Sequence, residues 1–462
     1  MATASAGAVP AGTPHLKRTL TLWDLILYGV IVIQPVAPMS AFGVLYVAGR
    51  GHVVTTILIA MVAMLFTAIS YGRMARAYPS AGSAFTYVGQ EINPALGYVT
   101  GWSMVMDYML NPMICIIWLS EQSHDYVQAI PYWAWAIFFG IVFTALNVQG
   151  IKINARVNAV LAAAMGAVIV IFLVAALHFI LGSPHDGLAF FTLPFYDPST
   201  FNASAVLGGT SIAVLTYIGF DGISTLSEEA KDPRRNILYA TVLTCLVIGI
   251  LSAVEVYVAQ LAWPLHQVFP NTDTAFTYVA QHVWPPLFIV LGLTLIVANF
   301  GSGMGAQIGA ARLLFGMGRS DALPKSFFGV VSAKHRIPRN NVVFVGAVAL
   351  AGAFVLPAIS GAAMTGYGLG ASLLNFGALI AFMGVNAAAF VRYFLREETK
   401  RFWNFAPPVL GFIICGVLWW NLTTQARILG AVWMVVGIAF GAWKTRGFKG
   451  DLVNFDVPPD AA

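Results

Sequence analysis

Hydrophobic residues form long runs along this chain, separated by short segments that contain proline, glycine or charged residues. A helix that crosses a lipid bilayer needs about 20 mostly apolar residues. Turn-forming pairs such as Asp232-Pro233 and Pro285-Pro286 separate consecutive runs. The pattern predicts an all-α membrane protein with twelve transmembrane helices, at residues 22–47, 53–72, 95–118, 131–148, 157–181, 204–227, 237–262, 285–311, 341–360, 366–394, 405–422 and 428–443.

Composition and the placement of charges agree with this division. Hydrophobic residues make up 59% of the 462 residues and charged residues 9%, whereas a soluble domain carries roughly 25% charged residues. With the N-terminus in the cytoplasm, all 24 lysines and arginines except Arg50 and Arg427 fall on the cytoplasmic side, as the positive-inside rule requires. A wrong helix count would scramble this alternation, so we predict a multi-pass protein of a bacterial inner membrane with both termini in the cytoplasm.

Several classes of function are excluded by what the sequence lacks. The basic residues form no stripe with interleaved aromatics, so the net charge of +5 does not indicate a nucleic-acid partner. The three cysteines lie singly in apolar segments, without metal-binding spacing. No Walker A sequence or HExxH motif is present, and no repeated polar filter suggests a channel. We therefore predict no catalytic residues, metal site or cofactor; the partners are lipid and a small-molecule substrate, and the oligomeric state stays open.

Two of the predicted spans are interrupted near their centres. Span one contains Pro35 and Pro38, which remove backbone donors and clash with preceding carbonyls, and span six contains Gly219 and Gly222 on either side of an acid. Transporters often place their substrate site where two corresponding helices of an internal repeat are unwound. We therefore assign to the substrate site the residues at these interruptions, namely Gln34, Pro35, Thr216, Tyr217, Phe220 and Asp221.

Motifs along the chain resemble those of the amino acid–polyamine–organocation (APC) superfamily. They are PSAGSAFTY at 79–87, Gly219-Phe220-Asp221, SEEAKDPR at 227–234 and AARLLFGMGR at 310–319, and the stretch LNFGAL at 374–379 is most similar to bacterial putrescine importers. The resemblance implies a LeuT-type transporter domain at 21–444. Within it, two inverted five-helix repeats would occupy about 21–181 and 204–395, with two additional helices at about 405–443, between cytoplasmic tails at 1–20 and 445–462.

Ionisable residues inside the spans are the strongest candidates for chemistry, because each costs about 2.5–3.5 kcal/mol at a helix centre. Asp107 lies midway along span three, beside Tyr108 and one helical turn from Ser103 and Asn111. We expect its carboxylate to pair with a substrate ammonium or to carry a proton, with a structural hydrogen bond as the alternative. The acid of span six, Asp221, is interpreted either as a site residue or as a helix cap, since many APC members have an acid there.

Other charged residues receive local interpretations. Glu228, Glu229 and Arg234 are expected to form a charge network at the cytoplasmic end, either as an inner gate or as a solvated loop. Asp24 follows Thr21 by three residues, which is typical of a capping box. Glu255 is expected to extend its side chain to the outer membrane interface, with an attractant for cations in the outer vestibule as the alternative.

Three positions depart from the patterns that the resemblance implies. Amino acid transporters of this fold hold the substrate carboxylate on free N–H groups where this chain has Pro35, which lacks one. Many relatives have a sodium-mimicking lysine in span five where this chain has Met165, and the putrescine importers have an aspartate in place of Ser40. The missing N–H at Pro35 favours a substrate without a carboxylate, and the resemblance then implies a secondary active transporter that imports a cationic amine such as putrescine. Because Ser40 replaces an acid, the two ends of a diamine would depend on the acids of spans three and six, and a monoamine is also open. The alternative is an amino acid permease or an amine/amino acid exchanger, and proton and sodium coupling both stay open.

Overall fold

The fold is described from a computed structural model, which covers residues 20–78, 83–150, 155–185, 187–226, 230–265, 267–319, 323–332, 337–361, 364–397, 400–445 and 447–448. Within these ranges the regular structure is helical, apart from one isolated β-bridge between Leu20 and Ala230. Almost all of the two predicted tails lies outside the described residues.

The helices follow one another along the chain with short connections. They are α1 Leu22–Ile33, α2 Ala37–Ala48, α3 Val53–Ala77, α4 Ser83–Glu91, α5 Pro94–Tyr126, α6 Tyr132–Val148, α7 Ala155–Gly182, α8 Gly187–Thr192, α9 Ala203–Ala213, α10 Pro233–Ala262, α11 Ala275–Val283, α12 Leu287–Arg319, α13 Lys325–Phe328, α14 Arg339–Ile359, α15 Gly366–Phe390, α16 Phe402–Trp420 and α17 Thr424–Lys444. Two 3₁₀ helices, Val214–Tyr217 and Phe220–Leu226, follow α9, and the π-helix Val391–Arg396 extends α15.

Ten helical segments of the described chain are long and apolar enough to cross a membrane. They comprise α3, α5, α7, α10, α12, α14, α16 and α17, together with α9 plus its 3₁₀ turns and α15 plus its π-helix. The pair α1 and α2 passes the same test jointly with a bend of 48°, and α6 is apolar but shorter. The chain is therefore a multi-pass α-helical membrane protein, as the hydrophobic pattern predicts.

The long helix α5 forms the centre of the bundle. Most of it is buried, and it packs against α6, α12, α14 and α15, whereas α7 is largely exposed along its apolar length. The approach of α15 depends on a glycine, because a Cβ atom at Gly377 would collide with the backbone oxygen of Ser103 on α5. Small residues allow such close packing between membrane helices. This contact fixes the stretch of α5 that carries Asp107.

The interruption of span one is present in the structure. Helix α1 ends at Ile33, Gln34 has a φ of 66°, and α2 starts at Ala37, whose N–H donates to the Gln34 carbonyl at 3.0 Å. Helix α1 begins where the sequence predicts, because Thr21 and Asp24 form the predicted capping box.

The interruption of span six is present as well. After the first 3₁₀ turn, Ile218 is extended and Gly219 has a φ of +123°, a conformation that side chains with a Cβ rarely adopt. A Cβ at Gly219 would lie 3.1 Å from side-chain atoms of both Val32 and Ile33, so the two breaks are in contact. The predicted discontinuity of both helices is confirmed.

Candidate functional site

A cavity of about 420 Å³ lies between the two helix breaks and the helices α5, α7 and α12. The breaks place backbone and side chains of distant segments at one point, because each interrupted helix turns its chain away from the regular helical path. Six of the predicted site residues line this cavity: Gln34, Pro35, Asp107, Tyr108, Asn111 and Asp221. What each of them does to a substrate stays a prediction.

Three other predicted site residues lie away from the cavity. The Thr216 hydroxyl donates to the Ala213 carbonyl at 2.8 Å, and the Tyr217 hydroxyl donates to the Ile57 carbonyl of α3 at 2.8 Å. The Phe220 ring packs edge-on against Tyr71, with 5.6 Å between ring centroids. The 3₁₀ turns point these side chains towards the surrounding helices, so they pack the scaffold around the break.

Of the two acids in the cavity, Asp107 has fewer hydrogen bonds to its carboxylate. Its side chain is 7% exposed, and among the described residues no hydrogen-bond donor or cation contacts the carboxylate. One turn further along α5, Asn111 accepts a hydrogen bond from the Ser302 hydroxyl of α12 at 3.4 Å. A carboxylate in such surroundings is costly unless a cation or a proton accompanies it.

Asp221 is engaged locally by the backbone of its own break. The Gly219 N–H donates to its carboxylate at 3.2 Å, and the Gly222 N–H donates to the Gly219 carbonyl at 3.1 Å. The Ser224 hydroxyl donates to the Asp221 carbonyl at 2.6 Å. Asp221 therefore stabilises the interruption and at the same time lines the cavity, so the two interpretations of this residue are compatible.

The break in span one offers few N–H groups to a substrate. Pro35 and Pro38 have none, and the Ala37 N–H is occupied by the Gln34 carbonyl. The Gln34 side chain donates to the Ala298 carbonyl of α12 at 2.6 Å, which ties the break to the far wall of the cavity. A carboxylate would find little backbone support here.

The cavity wall contains no lysine, arginine or histidine among the described residues. Met165 of α7 lines it, at the position where the resemblance implies a lysine in many relatives. Ser40 is not part of the wall; its hydroxyl accepts a hydrogen bond from Asn299 of α12 at 3.0 Å. The cavity thus combines two carboxylates with tyrosine rings and apolar walls, and no described lining residue carries a positive charge.

The predicted cytoplasmic charge network is only partly within the described chain. Arg234 is exposed in the first turn of α10, while Glu228 and Glu229 lie outside the described residues. The expectation that Glu255 reaches the interface is wrong: this residue is fully buried, and neither carboxylate oxygen has a hydrogen-bond partner in the part of the chain that the structure describes. Packing of α10 against its neighbours encloses the side chain before it can reach the interface.

Sequence reasoning missed an ion-pair cluster at the end of α4. The Glu91 carboxylate accepts hydrogen bonds from Arg392 at 2.6 Å and from Arg396 at 2.8 Å, both on the π-helix after α15. The Tyr78 hydroxyl donates to it at 2.7 Å. The sequence does show that the two arginines are one helical turn apart and can therefore bind one partner. Nothing in the sequence indicates that this partner is Glu91, which is 301 residues before Arg392.

Comparisons with known proteins match nearly the whole chain. Residues 36–455 match the family model described as amino acid permease. The chain is 33% identical to the low-affinity putrescine importer PlaP of Escherichia coli, over 96% of this chain and 97% of that protein. It is 26% identical to the branched-chain amino acid permease BcaP of Lactococcus lactis, over 92% and 94% of the two chains. It is 24% identical to the methylthioribose transporter of Bacillus subtilis, over 91% and 92%.

All three relatives are transporters, and each is matched along more than nine-tenths of its length. The apolar helices and the cavity between two broken spans agree with that activity. This chain is therefore a membrane transporter rather than an enzyme, and it belongs to the amino acid permease family of the APC superfamily.

Proposed function

We propose that this chain imports a small cationic amine, with putrescine as the leading example, by secondary active transport. The observation that carries the proposal is the central cavity, which is lined by Asp107 and Asp221 and by no lysine, arginine or histidine among the described residues. A cavity with unneutralised carboxylates and low-dielectric walls favours cations over neutral or anionic solutes.

Asp107 provides the main contact to an ammonium group in this proposal. A hydrogen bond to a charged group contributes about 1.5–3 kcal/mol, which corresponds to roughly ten- to a hundredfold in affinity. The rings of Tyr28 and Tyr108 also line the cavity and can add cation–π attraction of about 1–2 kcal/mol where water is excluded. Asp221 is the second acid, so a diamine would find an anion for each of its ends.

The helix breaks favour an amine over an α-amino acid. Binding an α-carboxylate requires free N–H groups, and those of Ala37 and Gly219 are already used by the Gln34 carbonyl and the Asp221 carboxylate. An amino acid would therefore bring its carboxylate next to two acids, and neither of these two N–H groups would be free to bind it. Amino acid transport, which is the activity of the branched-chain amino acid permease BcaP, is the alternative.

The proposal includes the topology derived from the sequence. Twelve spans, two inverted five-helix repeats and two additional helices would place both termini in the cytoplasm of a bacterium. The paired breaks in the first and sixth spans support this arrangement, because related positions in a five-plus-five repeat are interrupted in the same way. Glu228, Glu229 and Arg234 then lie at the cytoplasmic mouth as a proposed inner gate.

Uptake into proteoliposomes tests the substrate class. Purified protein should accumulate labelled putrescine, and unlabelled putrescine should compete better than ornithine, which is an α-amino acid with a similar side-chain amine. Leucine should not compete. A pH gradient and a sodium gradient, applied separately, identify the coupling ion. Equal or stronger competition by ornithine or leucine would replace the amine assignment by the amino acid alternative.

Binding to two carboxamide variants tests the role of Asp107. Asp107→Asn keeps the shape of the side chain and removes its charge, so labelled putrescine should bind about ten- to a hundredfold more weakly at fixed pH. Asp24→Asn removes an acid that only caps α1, and it should leave the affinity unchanged. Unchanged binding by Asp107→Asn would make this residue structural and remove the main support for an amine.

A further inference from the structure

A second cavity of about 420 Å³ lies at the other end of α5 from its N-terminal cap. It is bounded by the last turns of α2 and α5, the segment before α11 and the beginning of α15, and it shares no lining residue with the central cavity. Glu121, which lines it, is fourteen residues beyond Asp107, or about 21 Å along the helix. In the predicted topology this cavity faces the outside.

Three acids lie in or beside this second cavity. Glu121 and Asp125 are on α5, one turn apart, and Asp273 belongs to the segment before α11. The Asn271 amide bridges the first two, donating to Glu121 at 3.1 Å and to Asp125 at 3.4 Å, and the Thr274 hydroxyl donates to Asp125. None of the three acids forms an ion pair with a lysine or arginine in the described part of the chain.

Asp273 is the residue that points to a ligand. It lines the cavity but is only 4% exposed, and its Oδ1 atom has no hydrogen-bond partner within the described residues. Its backbone is held on both sides: the Trp118 indole N–H donates to its carbonyl at 2.8 Å, and its own N–H donates to Asn271 at 3.0 Å. A rigidly held, buried carboxylate oxygen without a donor is costly, so a donor supplied by a ligand would be favourable.

The shape and chemistry of the cavity match an alkylammonium ion. An ammonium group carries three N–H donors, which suits the carboxylates of Asp273 and Glu121 that line the cavity. Val44 and Val47 of α2 supply an apolar wall for the carbon chain. A metal ion is disfavoured, because nowhere in the described ranges are three His, Cys, Asp or Glu side chains close enough together to hold one.

We propose that this outer cavity binds the ammonium group of a transported amine before the amine reaches the central cavity, with Asp273 and Glu121 as its anionic contacts. The inference rests on the proposed amine transport and adds a second binding site to it. Because acids without counter-charges raise the local concentration of cations, the outer site would also accelerate capture from dilute solution.

Protonation of Asp273 makes the affinity of the outer site for an ammonium group depend on pH. Burial, reinforced by the carboxylates of Glu121 and Asp125, raises the pKa of Asp273 to about 7, while the Thr365 hydroxyl acts in the opposite direction. The other titratable groups around it are Tyr132 of α6 and Tyr367 of α15, and His124 near Glu121. Since a carboxylate binds ammonium only when it is deprotonated, affinity at this site should fall about tenfold between pH 8 and pH 6.

Equilibrium binding of labelled putrescine to the purified full-length protein tests the inference. At pH 8 the parent should bind two putrescine molecules per chain, Asp273→Asn should bind one with the affinity of the central site unchanged, and Asp107→Asn should retain the outer site. Glu121→Gln serves as the second variant if Asp273→Asn does not fold. Asp197→Asn is the control on the same predicted side, because the Asp197 carboxylate is already engaged by the Ser199 N–H and hydroxyl.

The outcomes separate this inference from the proposed function. Two sites in the parent, one in Asp273→Asn and a tenfold pH effect confined to the site lost in that variant support the outer site. One site in the parent, or two in both Asp273→Asn and Glu121→Gln, overturns the outer site and leaves amine transport standing. No binding by the parent at all overturns both.

Discussion

The buried carboxylate of Glu91 offers the sharpest test of how this transporter is held together. It joins the end of α4 to the π-helix after α15, and its side chain is completely buried. Arg392 and Arg396 contact its two oxygens at 2.6 and 2.8 Å, and a second nitrogen of Arg396 donates to the Glu91 carbonyl at 2.9 Å. Glu91→Gln keeps the size of the side chain, removes its charge and turns an N–H group towards a guanidinium.

The loss of unfolding free energy caused by Glu91→Gln lies between the values for a buried and a surface ion pair. Breaking a fully buried ion pair costs about 3–5 kcal/mol, whereas a surface pair contributes about 0–1 kcal/mol. The Arg392 and Arg396 side chains are 36% and 57% exposed, so water can replace part of what each loses. We expect a loss of about 2 kcal/mol, because two charge-assisted bonds weaken but both cations stay partly hydrated.

The tyrosine of the cluster should remain a donor in the variant. Burial and the hydrogen bond to Glu91 raise the pKa of Tyr78 to about 12, so its hydroxyl keeps its proton at neutral pH. It can then donate to the amide oxygen of the introduced glutamine as it does to the carboxylate of the parent. This retained contact is a second reason why the expected loss stays below the cost of a broken, fully buried ion pair.

Thermal unfolding in detergent measures the effect. A loss of about 2 kcal/mol lowers the unfolding midpoint by roughly 2–4 °C in a chain of this size, since larger proteins shift less per kcal/mol. Glu397→Gln is the matched control, because Glu397 accepts one hydrogen bond from Asn404 and forms no ion pair in the described part of the chain; it should shift the midpoint by less than about 1 °C. Putrescine affinity should stay the same in both variants.

A double-mutant cycle shows whether the loss of stability in Glu91→Gln comes from its ion pairs. In a double-mutant cycle, Glu91→Gln and Arg396→Gln together should destabilise less than the sum of the two single variants, with a coupling of at least about 0.5 kcal/mol. Strict additivity, or equal midpoints for Glu91→Gln and Glu397→Gln, would refute the reasoning that these contacts hold α4 to the π-helix.

Two further substitutions examine the break in span six. Gly219→Ala should destabilise the protein by about 1–3 kcal/mol and impair putrescine uptake, because it forces a side chain into a φ of +123° beside Val32 and Ile33. Gly222→Ala, whose Cβ would meet no atom within 4 Å, should have smaller effects on both thermal unfolding and uptake. Equal effects of the two substitutions would contradict the strain argument. Tyr217→Phe should lower stability by about 1 kcal/mol without changing putrescine affinity, since its hydroxyl contacts α3 rather than the cavity, and a weaker binding constant would return this residue to the site.

The sequence by itself determined the features that depend on local physics. Apolar runs predict membrane helices because the bilayer requires about 20 apolar residues in one segment, whatever the rest of the chain does. Pro35 and Pro38 interrupt span one through steric clash and lost donors, and the Thr21–Asp24 capping box forms within one turn. Asp107 could be singled out because an acid within an apolar helix is costly in any fold.

Only the tertiary structure decided which side chains meet. Tyr217 and Asp221 are four residues apart in the same interruption, yet one packs against α3 and the other lines the cavity, because the non-helical turns between them set directions that no periodic pattern describes. Glu255 is enclosed rather than exposed at an interface for a similar reason. The pairing of Glu91 with Arg392 and the approach of Asp273 to Glu121 join segments far apart in sequence, and only the packing of whole helices brings such groups together.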